Sequence, residues 1–400
     1  MAEEVRESFG NGGGAADASW VDEGDAIVEN EPGSEEYDIT ASPNDFNVMT
    51  LNHIVGSGAV KMPGFQRNFV WDIQRASKLV ESIILRLPIP QLFLYEEKRN
   101  KFLVIDGQQR LMSIYFFAKG RFPRPGGRAM LRPFLTGGGK IPDEILQDNN
   151  HFQPFKLRLP EMVSGQKNRF AGLTYEVLDD YQASFDMRPL RSVVIRQNSS
   201  SDSDSSIYEI FNRLNTGGVN LRPQEIRTCM YYSAFYDMLD SINADLEWRR
   251  ILGKKEADKN MKDIEILLRG FAMLANSENY APSMIRFLNE FSHEGTKYSS
   301  ERNEYLRALF QSFLRACAKL PDGAFLSGGR FSVALYEAVF STVCKKAHTE
   351  NRFVENALES QRVEKLARDQ EFVEASQQGT AQQAKVQKRL ARAREIVGAL

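Results

Sequence analysis

The chain has 400 residues, of which 42% are hydrophobic and 26% are charged, and its formal net charge is −2. This length and composition are typical of an ordinary folded protein with two or three domains. No apolar run approaches the roughly 18–20 residues that a membrane crossing needs, and the N-terminus lacks the basic and apolar regions of a signal peptide. Cys229, Cys317 and Cys344 are far apart and odd in number, so we expect reduced core thiols in a cytoplasmic protein.

The charge is distributed unevenly along the chain. Residues 1–40 contain twelve Asp or Glu and one Arg, a balance of −11, whereas the other 360 residues have a balance of +9. Residues 1–40 also show little apolar periodicity, which predicts a disordered acidic tail. The basic body suits contact with nucleotides or a nucleic-acid backbone. The tail either aids solubility, which we favour, or competes with DNA for the basic face.

The first predicted elements after the tail are a strand and a short helix within residues 45–55, and a longer helix and a hairpin follow them. Asp72 is placed as the N-cap of a helix that must end before Pro88. A strand at 91–95 is predicted to pair with a second strand at 102–105 across the polar hairpin 96–101. The second strand leads into another helix, which ends near Lys119-Gly120.

The middle of the chain is more varied in composition. Residues 119–140 contain several glycines and six basic side chains without an acid, and they are predicted to form a long loop. Such a loop could follow a polyanion or could be an ordinary solvated surface. Short strands are predicted at 155–159, 173–177 and 190–196.

Helical periodicity dominates the rest of the chain. One helix is predicted at 207–214, and another runs from Pro223 to about Leu239. Further helices are predicted at 263–275, 282–294, 300–320, 330–347, 352–374 and 381–400. The resulting fold class is α+β, with a small mixed sheet and helices followed by a C-terminal helical bundle. We expect a domain at 41–245 and a helical domain at 246–400.

The strongest local signal is Asp106-Gly107-Gln108-Gln109-Arg110, where the buried strand turns into a helix. The first N–H groups of that helix lack intrahelical partners and carry the positive end of the helix dipole. Gly107 lets a ligand approach the backbone, Gln108 and Gln109 offer amide groups, and Arg110 can hold a phosphate with two parallel hydrogen bonds. This combination predicts an anion site.

Spacing alone also allows a simpler interpretation, in which Asp106 is a helix N-cap and Arg110 is a solvated charge. The four histidines do not help to decide, because each is isolated and none has the spacing of a metal site. We therefore expect no protein metal centre formed by His53, His151, His293 and His348.

Three blocks together resemble the N-terminal domain family of GmrSD-type, modification-dependent restriction systems. The first block is Phe65-Gln66-Arg67-Asn68-Phe69-Val70-Trp71 with Leu87-Pro88-Ile89-Pro90, and the second is Asp106 to Arg110. The third is Phe211-Asn212-Arg213-Leu214-Asn215-Thr216-Gly217-Gly218-Val219, followed by Leu221 to Arg227. Their order and separation match the family over roughly residues 45–275.

The resemblance implies a fold similar to ParB and sulfiredoxin in residues 41–245, and binding and hydrolysis of a nucleoside triphosphate, with Mg²⁺, that governs DNA restriction. It also implies that phosphate charge is neutralised by arginine and that Gln108 or Gln109 positions water, while Asp106 holds water or metal. The catalytic candidates are Asp106, Gln108, Gln109 and Arg110. The nucleotide-binding candidates are Gln66, Arg67, Gly107, Arg110, Asn212, Arg213 and Asn215.

Three functions remain open from the sequence. The first is a nucleotide-dependent regulator or hydrolase of a restriction or anti-phage system, with DNA cleavage supplied by a separate nuclease chain. The second is a non-enzymatic ParB-like module that binds DNA or senses its modification. The third is direct DNA cleavage by the N-terminal domain itself. Glu225 and Arg227 could be site members or a solvated helix face.

Overall fold

A computed structural model describes residues 20–21, 39–62, 69–161, 166–198, 210–211, 213–214, 222–258, 260–377 and 379–398. Short strands and helices alternate in the first half of the chain. The first are β1 (Trp20–Val21), β2 (Ile39–Asn47), α1 (Val48–Gly56), β3 (Val60–Lys61), α2 (Ile73–Ile84), β4 (Leu92–Lys98), β5 (Lys101–Asp106) and α3 (Gln108–Ala118). They are followed by β6 (Arg121–Pro123), α4 (Pro125–Met130), α5 (Arg132–Gly137), α6 (Asp143–Gln147), β7 (Phe152–Pro154), α7 (Asp180–Asp186) and β8 (Pro189–Gln197).

A five-stranded mixed sheet organises this half of the chain, in the order β2-β8-β4-β5-β3. β4 and β5 form an antiparallel hairpin, and β2 also pairs antiparallel with β8. β4 is parallel to β8, and β3 is parallel to β5. The predicted α+β class with a small mixed sheet is confirmed. A specific likeness to the ParB/sulfiredoxin fold stays a prediction.

The strand β5 is covered on both faces of the sheet. Phe102 and Val104 pack into a cluster with side chains of α1, α2 and α3. Leu103 and Ile105 pack into a smaller cluster on the opposite face, which includes Phe211. Because successive side chains of a strand point to opposite faces, a strand covered on both sides needs a continuous apolar run.

Two predicted helix ends are confirmed. The Asp72 carboxylate accepts a hydrogen bond from the Arg75 N–H at 2.7 Å, which makes it the N-cap of α2. Lys119 is the C-cap of α3, and Gly120 follows in the left-handed region with φ of 64°. Both ends depend on local chemistry, because a carboxylate satisfies a free amide and glycine tolerates positive φ.

The basic stretch at 119–140 was wrongly predicted to be a loop, since it contains the helices α4 and α5. Arg121 donates from Nε to the Leu146 carbonyl oxygen at 2.8 Å. A Cβ added to Gly127 would lie 2.2 Å from the His151 carbonyl oxygen, so this glycine allows a close approach of two backbone segments. The partners of Arg121 and Gly127 lie about two dozen residues further along the chain, so the composition of residues 119–140 does not reveal them.

Two of the three strands predicted between 151 and 197 are not formed. The strand predicted at 190–196 is β8, whereas 173–177 contains a 3-10 turn at Tyr175–Val177. The segment 155–159 makes isolated backbone bonds, such as Leu157 N–H to the Leu173 carbonyl oxygen at 2.9 Å. Prolines 154 and 160 flank that segment and lack the N–H groups that a longer ladder needs.

The C-terminal part is a helical region, as predicted. Its elements are α8 (Pro223–Met230), α9 (Ala234–Asn243), α10 (Leu246–Leu252), α11 (Lys262–Asn276), α12 (Met284–Gly295), α13 (Ser300–Ala316), β9 (Leu326–Ser327), β10 (Arg330–Ser332), α14 (Val333–Thr349), α15 (Ser360–Arg368), α16 (Gln370–Ala375) and α17 (Gln383–Ile396). One buried cluster extends from Tyr231 to Val397 and includes side chains of α9. The exact division between two domains stays a prediction.

Two helices in this region differ from the prediction. The helix predicted from Pro223 to Leu239 is interrupted between α8 and α9. The helix predicted at 352–374 begins only at Ser360 and is divided into α15 and α16. In both places the apolar spacing continues across a break, so periodicity alone does not reveal it.

The predicted acidic tail falls almost entirely outside the described residues. Its described part includes Trp20–Val21, which pair in parallel with Phe331 and Ser332 of β10. With β9 and β10 these two residues form a short three-stranded sheet, and disorder of the tail stays a prediction. Residues 39–40 belong to β2 rather than to the tail.

The three thiols are free and buried, as predicted. Burial raises the pKa of Cys317 to about 12, and it also raises the pKa of Cys229 and of Cys344. Among the helices within the described ranges, none has the length and apolar character that a membrane span needs.

Candidate functional site

Gly107 forms the corner between β5 and α3. It is the N-cap of α3 and has φ of 99° and ψ of 9°, in the left-handed region. A Cβ at this position would lie 2.2 Å from Cδ2 of Leu92, a core side chain that is 2% exposed. Glycine is required both by the backbone conformation and by the close approach of Leu92. Asp106 is not the N-cap, so the simpler interpretation of that residue was wrong.

The Arg110 side chain links the corner to the segment before β4. Its Nη1 donates to the carbonyl oxygens of Pro90 and Gln91, and its Nη2 lies 2.5 Å from the Asp106 carboxylate. The Arg110 side chain is 12% exposed, so it is not the solvated charge of the simpler interpretation. The guanidinium group of Arg110 donates three hydrogen bonds to acceptors within the chain, and the Asp106 carboxylate balances its charge. In this conformation Arg110 positions the segment 87–91, and contact with a phosphate would require it to release some of these bonds.

Gln109 connects α3 to the end of the first sequence block. Its Oε1 accepts hydrogen bonds from the N–H groups of Val70 and Trp71 at 3.0 Å and 3.2 Å. The side-chain oxygen therefore replaces the strand partner that these two amides lack. Gln109 brings the second block and the end of the first block to the same place.

The first turn of α3 presents hydrogen-bond donors without acceptors in the helix. The Leu111 N–H donates to the Gly107 carbonyl oxygen at 2.9 Å, so the N–H groups of residues 108–110 come before the first helical bond. Gln108 is partly exposed, and its amide makes no hydrogen bond with any described residue. With no side-chain cap at Gly107, these groups are suited to an anion.

Sequence reasoning did not identify two cations beside this corner. The Arg128 Nη2 donates to the Trp71 carbonyl oxygen at 3.2 Å, and the guanidinium lies 5.8 Å from the Phe69 ring centroid. Its Nε is buried without a hydrogen-bond partner among the described atoms. Burial lowers the pKa of Arg128. Arg75 lies 4.7 Å over the Trp71 ring. The basic run at 119–140 was the available signal for Arg128, but it was interpreted as a loop.

The remaining predicted contacts are only partly placed. Arg213 is exposed, and its neighbour Leu214 packs against the cluster on the sheet face opposite α3. Phe93, the register partner of Asp106, packs against the same cluster. The described residues Phe211 and Leu214 of the third block therefore lie on the other side of the sheet from α3. The nucleotide-binding candidates outside the described residues, whose contacts stay predictions, are Gln66, Arg67, Asn212 and Asn215.

Arg227 and Glu225 are neither a solvated face nor part of the corner, since each is only 1% exposed. Arg227 donates from Nε to the Asn289 Oδ1 at 2.9 Å, and its Nη1 lies 3.6 Å from the Glu265 carboxylate. Burial alone would raise the pKa of Glu265, but Lys262 and Arg227 together lower it. This buried network joins α8 to α11 and α12.

His348 is expected to stay neutral far into the acid range. Its Nε2 lies 2.7 Å from Nη2 of Arg302, and burial together with Arg302 and Lys345 lowers its pKa to about 4. An unfolded histidine titrates near about 6.5. Between these two values the unfolded state binds more protons, so the free energy of unfolding should fall as the pH falls through that window.

Titration of the histidine ring signals by NMR checks this prediction, and a midpoint for His348 near that of an unfolded histidine would contradict it. The variant His348→Gln should lose this part of the pH dependence of stability, as measured by urea denaturation at several pH values.

Metal binding by protein groups alone receives no support from the described residues, which contain no group of three or more His, Cys, Asp or Glu able to hold an ion. Asp106 is the carboxylate at the corner, and one of its oxygens already contacts Arg110. Mg²⁺ characteristically keeps several waters and binds through one or two carboxylates and substrate phosphates. The corner therefore fits this ion only as the companion of a phosphate ligand.

The fold and the corner together define a class of protein, a small mixed-sheet domain with an uncapped helix start at its candidate site, continued by a helical region. Residues 50–232 match the family described as the GmrSD restriction endonuclease, N-terminal domain, and this segment belongs to that family. The family suggests a role in a restriction system.

A curated relative is the uncharacterized protein MJ0686 of Methanocaldococcus jannaschii, which is 22% identical over 239 residues. The alignment covers 46% of this chain and 41% of that protein, so the chain matches less than half of the relative's length.

Proposed function

We propose that the domain containing residues 50–232 binds a nucleoside triphosphate at the first turn of α3. The chain would then be a nucleotide-responsive component of a DNA restriction or anti-phage system, and a separate nuclease chain would cut the DNA. Family membership supports the restriction role. The observation that carries the nucleotide site is the uncapped first turn beside Gly107, together with a Gln108 amide that makes no hydrogen bond to the described residues.

The corner can bind a phosphate group mainly through backbone N–H groups and one side-chain amide. The N–H groups of residues 108–110 would donate to phosphate oxygens, and the Gln108 amide would donate to an oxygen or orient a water molecule. Arg110 would keep the segment 87–91 and the helix start in register through its bonds to Pro90, Gln91 and Asp106. Bound Mg²⁺ would supply charge neutralisation of the phosphates. If hydrolysis occurs, the protein contributes positioning and charge stabilisation.

The non-enzymatic DNA-binding alternative draws less support from the described residues. Arg121 and Arg128 of the basic stretch donate to backbone carbonyl oxygens of the chain itself. In α17, Arg392 lies 2.5 Å from Asp369 and Lys388 lies 3.4 Å from Glu371. Cations that are engaged in this way are less available to phosphates of a nucleic acid.

The test of nucleotide binding is a thermal-shift titration of the full chain with ATP, GTP and their diphosphates, with and without Mg²⁺. A ligand that binds only the folded state raises Tm with its concentration. The variant Gln108→Ala should weaken binding by about tenfold, which corresponds to roughly one charge-assisted hydrogen bond. Gln311→Ala is the matched control, because Gln311 is an exposed helical glutamine of the C-terminal region.

A titration in which no nucleotide changes Tm would overturn the proposed site. Equal nucleotide affinity in wild type and Gln108→Ala would remove Gln108 from it. Salt-dependent DNA binding that is indifferent to nucleotide would instead support the DNA-binding module, and Mg²⁺-dependent nicking of a plasmid would support direct cleavage.

Arg110→Ala should abolish hydrolysis, because the corner loses the three bonds that position it. Arg110→Lys separates two roles, since a lysine keeps the charge but cannot form the same fork of hydrogen bonds. If Arg110 acts by positioning, Lys should be nearly as inactive as Ala in a phosphate-release assay. Substantial turnover with Lys would show that charge at the phosphate is what matters, and full turnover with Ala would exclude both roles.

A further inference from the structure

A cavity of about 540 Å³ lies in the helical region, outside the segment that matches the restriction family. It is lined by the β9–β10 hairpin, the first turn of α14, the helices α15 and α16, and the segment that leads into α17. Its volume falls within the roughly 300–1,000 Å³ range of small-molecule sites. The candidate nucleotide site at α3 contributes none of its lining.

Two buried cations line this cavity, Arg269 and Arg389, which are 3% and 2% exposed. Arg269 forms an ion pair with Glu337, which is buried behind it. Arg389 donates from Nη1 to the carbonyl oxygens of Ala375 and Thr380, both at 2.9 Å. These contacts fix both guanidinium groups in the wall, and the buried Glu337 carboxylate balances the charge of Arg269.

The start of α14 adds to the positive character of the same wall. This helix has 17 residues, and Ala334 and Leu335 of its first turn line the cavity. Its N-cap Ser332 also lines the cavity, with Oγ accepting from the Leu335 N–H at 3.3 Å. The helix dipole places a partial positive charge here.

The acids that line the cavity are exposed rather than buried. The Asp322 side chain is 85% exposed and pairs with Arg250, and the Glu364 side chain is 54% exposed. Water screens these charges more than it screens the charge of the buried Arg389. The inner wall also has an apolar part, with Leu335 at 2% and Phe372 at 3% exposure.

We propose that this cavity binds a phosphorylated small molecule of about mononucleotide size. Its phosphate would lie against Arg269, Arg389 and the start of α14, and its organic part would pack on Phe372 and Leu335. Guanidinium groups match the geometry of phosphate oxygens, and the hydroxyls of Ser332 and Thr380 can complete the hydrogen bonds. The site is separate from the proposed site at α3, so each can fail without the other.

Isothermal titration of the full chain with inorganic phosphate, AMP and adenosine tests the proposal. AMP should bind saturably, inorganic phosphate should bind more weakly, and adenosine should not bind. Ala334 lines the cavity at the second position of α14, where an added acid is favourable for the helix. Ala334→Glu should therefore keep the fold and weaken AMP binding at least tenfold. Ala334→Gln fills similar space without charge and should weaken it less.

Two further variants make the outcome decisive. Ala391→Glu, on an exposed part of α17, controls for an added acid and should bind AMP like wild type. Gln108→Ala should also keep this binding. Absence of saturable binding by both phosphate and AMP would overturn the proposal, as would wild-type affinity in Ala334→Glu. Binding lost in Gln108→Ala but kept in Ala334→Glu would assign the ligand to α3 instead.

Discussion

Gly107→Ala should both abolish nucleotide binding and destabilise the protein more than an ordinary surface substitution. The left-handed backbone at φ of 99° costs an L-residue about 1–2 kcal/mol. The added Cβ would lie 2.2 Å from Cδ2 of Leu92, which is in the core, and overpacking of this kind costs about 1–3 kcal/mol. Relief of that clash would move the start of α3 and therefore the N–H groups of residues 108–110.

Gly172→Ala is the matched control for this substitution. Gly172 has φ of 90°, but an added Cβ would meet no atom within 4 Å. It should therefore show the backbone cost alone, with nucleotide binding unchanged. Urea denaturation measures the free energy of unfolding, and the thermal-shift titration measures binding. Wild-type nucleotide affinity in Gly107→Ala would place the nucleotide elsewhere.

Arg227→Met should lower the free energy of unfolding by about 3–5 kcal/mol, the usual effect of removing one partner of a buried ion pair. It would leave Asn289 Oδ1 without its 2.9 Å donor and Glu265 without its neighbouring guanidinium. Because α8 is joined through Arg227 to α11 and α12, we also expect the unfolding curve to separate into two transitions. A single transition with unchanged midpoint would show that the network contributes little.

The control for this prediction is Arg286→Met in α12, the helix that carries Asn289. Arg286 pairs with Glu290 at 2.9 Å, but its side chain is 64% exposed. Exposed pairs contribute little, so the change should stay within about 0.5 kcal/mol. A loss as large as that of Arg227→Met would show that the burial of Arg227 is not what makes it important.

Structural features that depend only on residues close in sequence could be predicted, because their physical cause is local. The Asp72 cap, the hairpin between β4 and β5, and the end of α3 at Lys119-Gly120 all follow from short-range chemistry. The structure of residues 119–140 could not be predicted correctly, because the carbonyl oxygens that accept from Arg121 and Arg128 belong to Leu146 and Trp71. Composition counts cations but does not show where their partners are.

The candidate site shows the same division. The strand, the glycine corner and the helix start were predictable from residues 102–118. The actual partners of Arg110 and Gln109 were not, since they are backbone groups of Pro90, Gln91, Val70 and Trp71. A side chain with free donors in the sequence can be fully engaged in the fold, and only coordinates distinguish a ligand-binding arginine from one that positions a loop.

The sequence by itself determined that a buried strand ends in a glycine turn before a helix, because hydrophobic run, glycine and helical spacing are local properties of the chain. Tertiary structure decided which polar groups stay available there. Arg110 is held by the segment 87–91, whereas Gln108 has no partner among the described residues. The reason is that hydrogen bonds form between groups close in space, and the fold brings together residues that are distant in sequence.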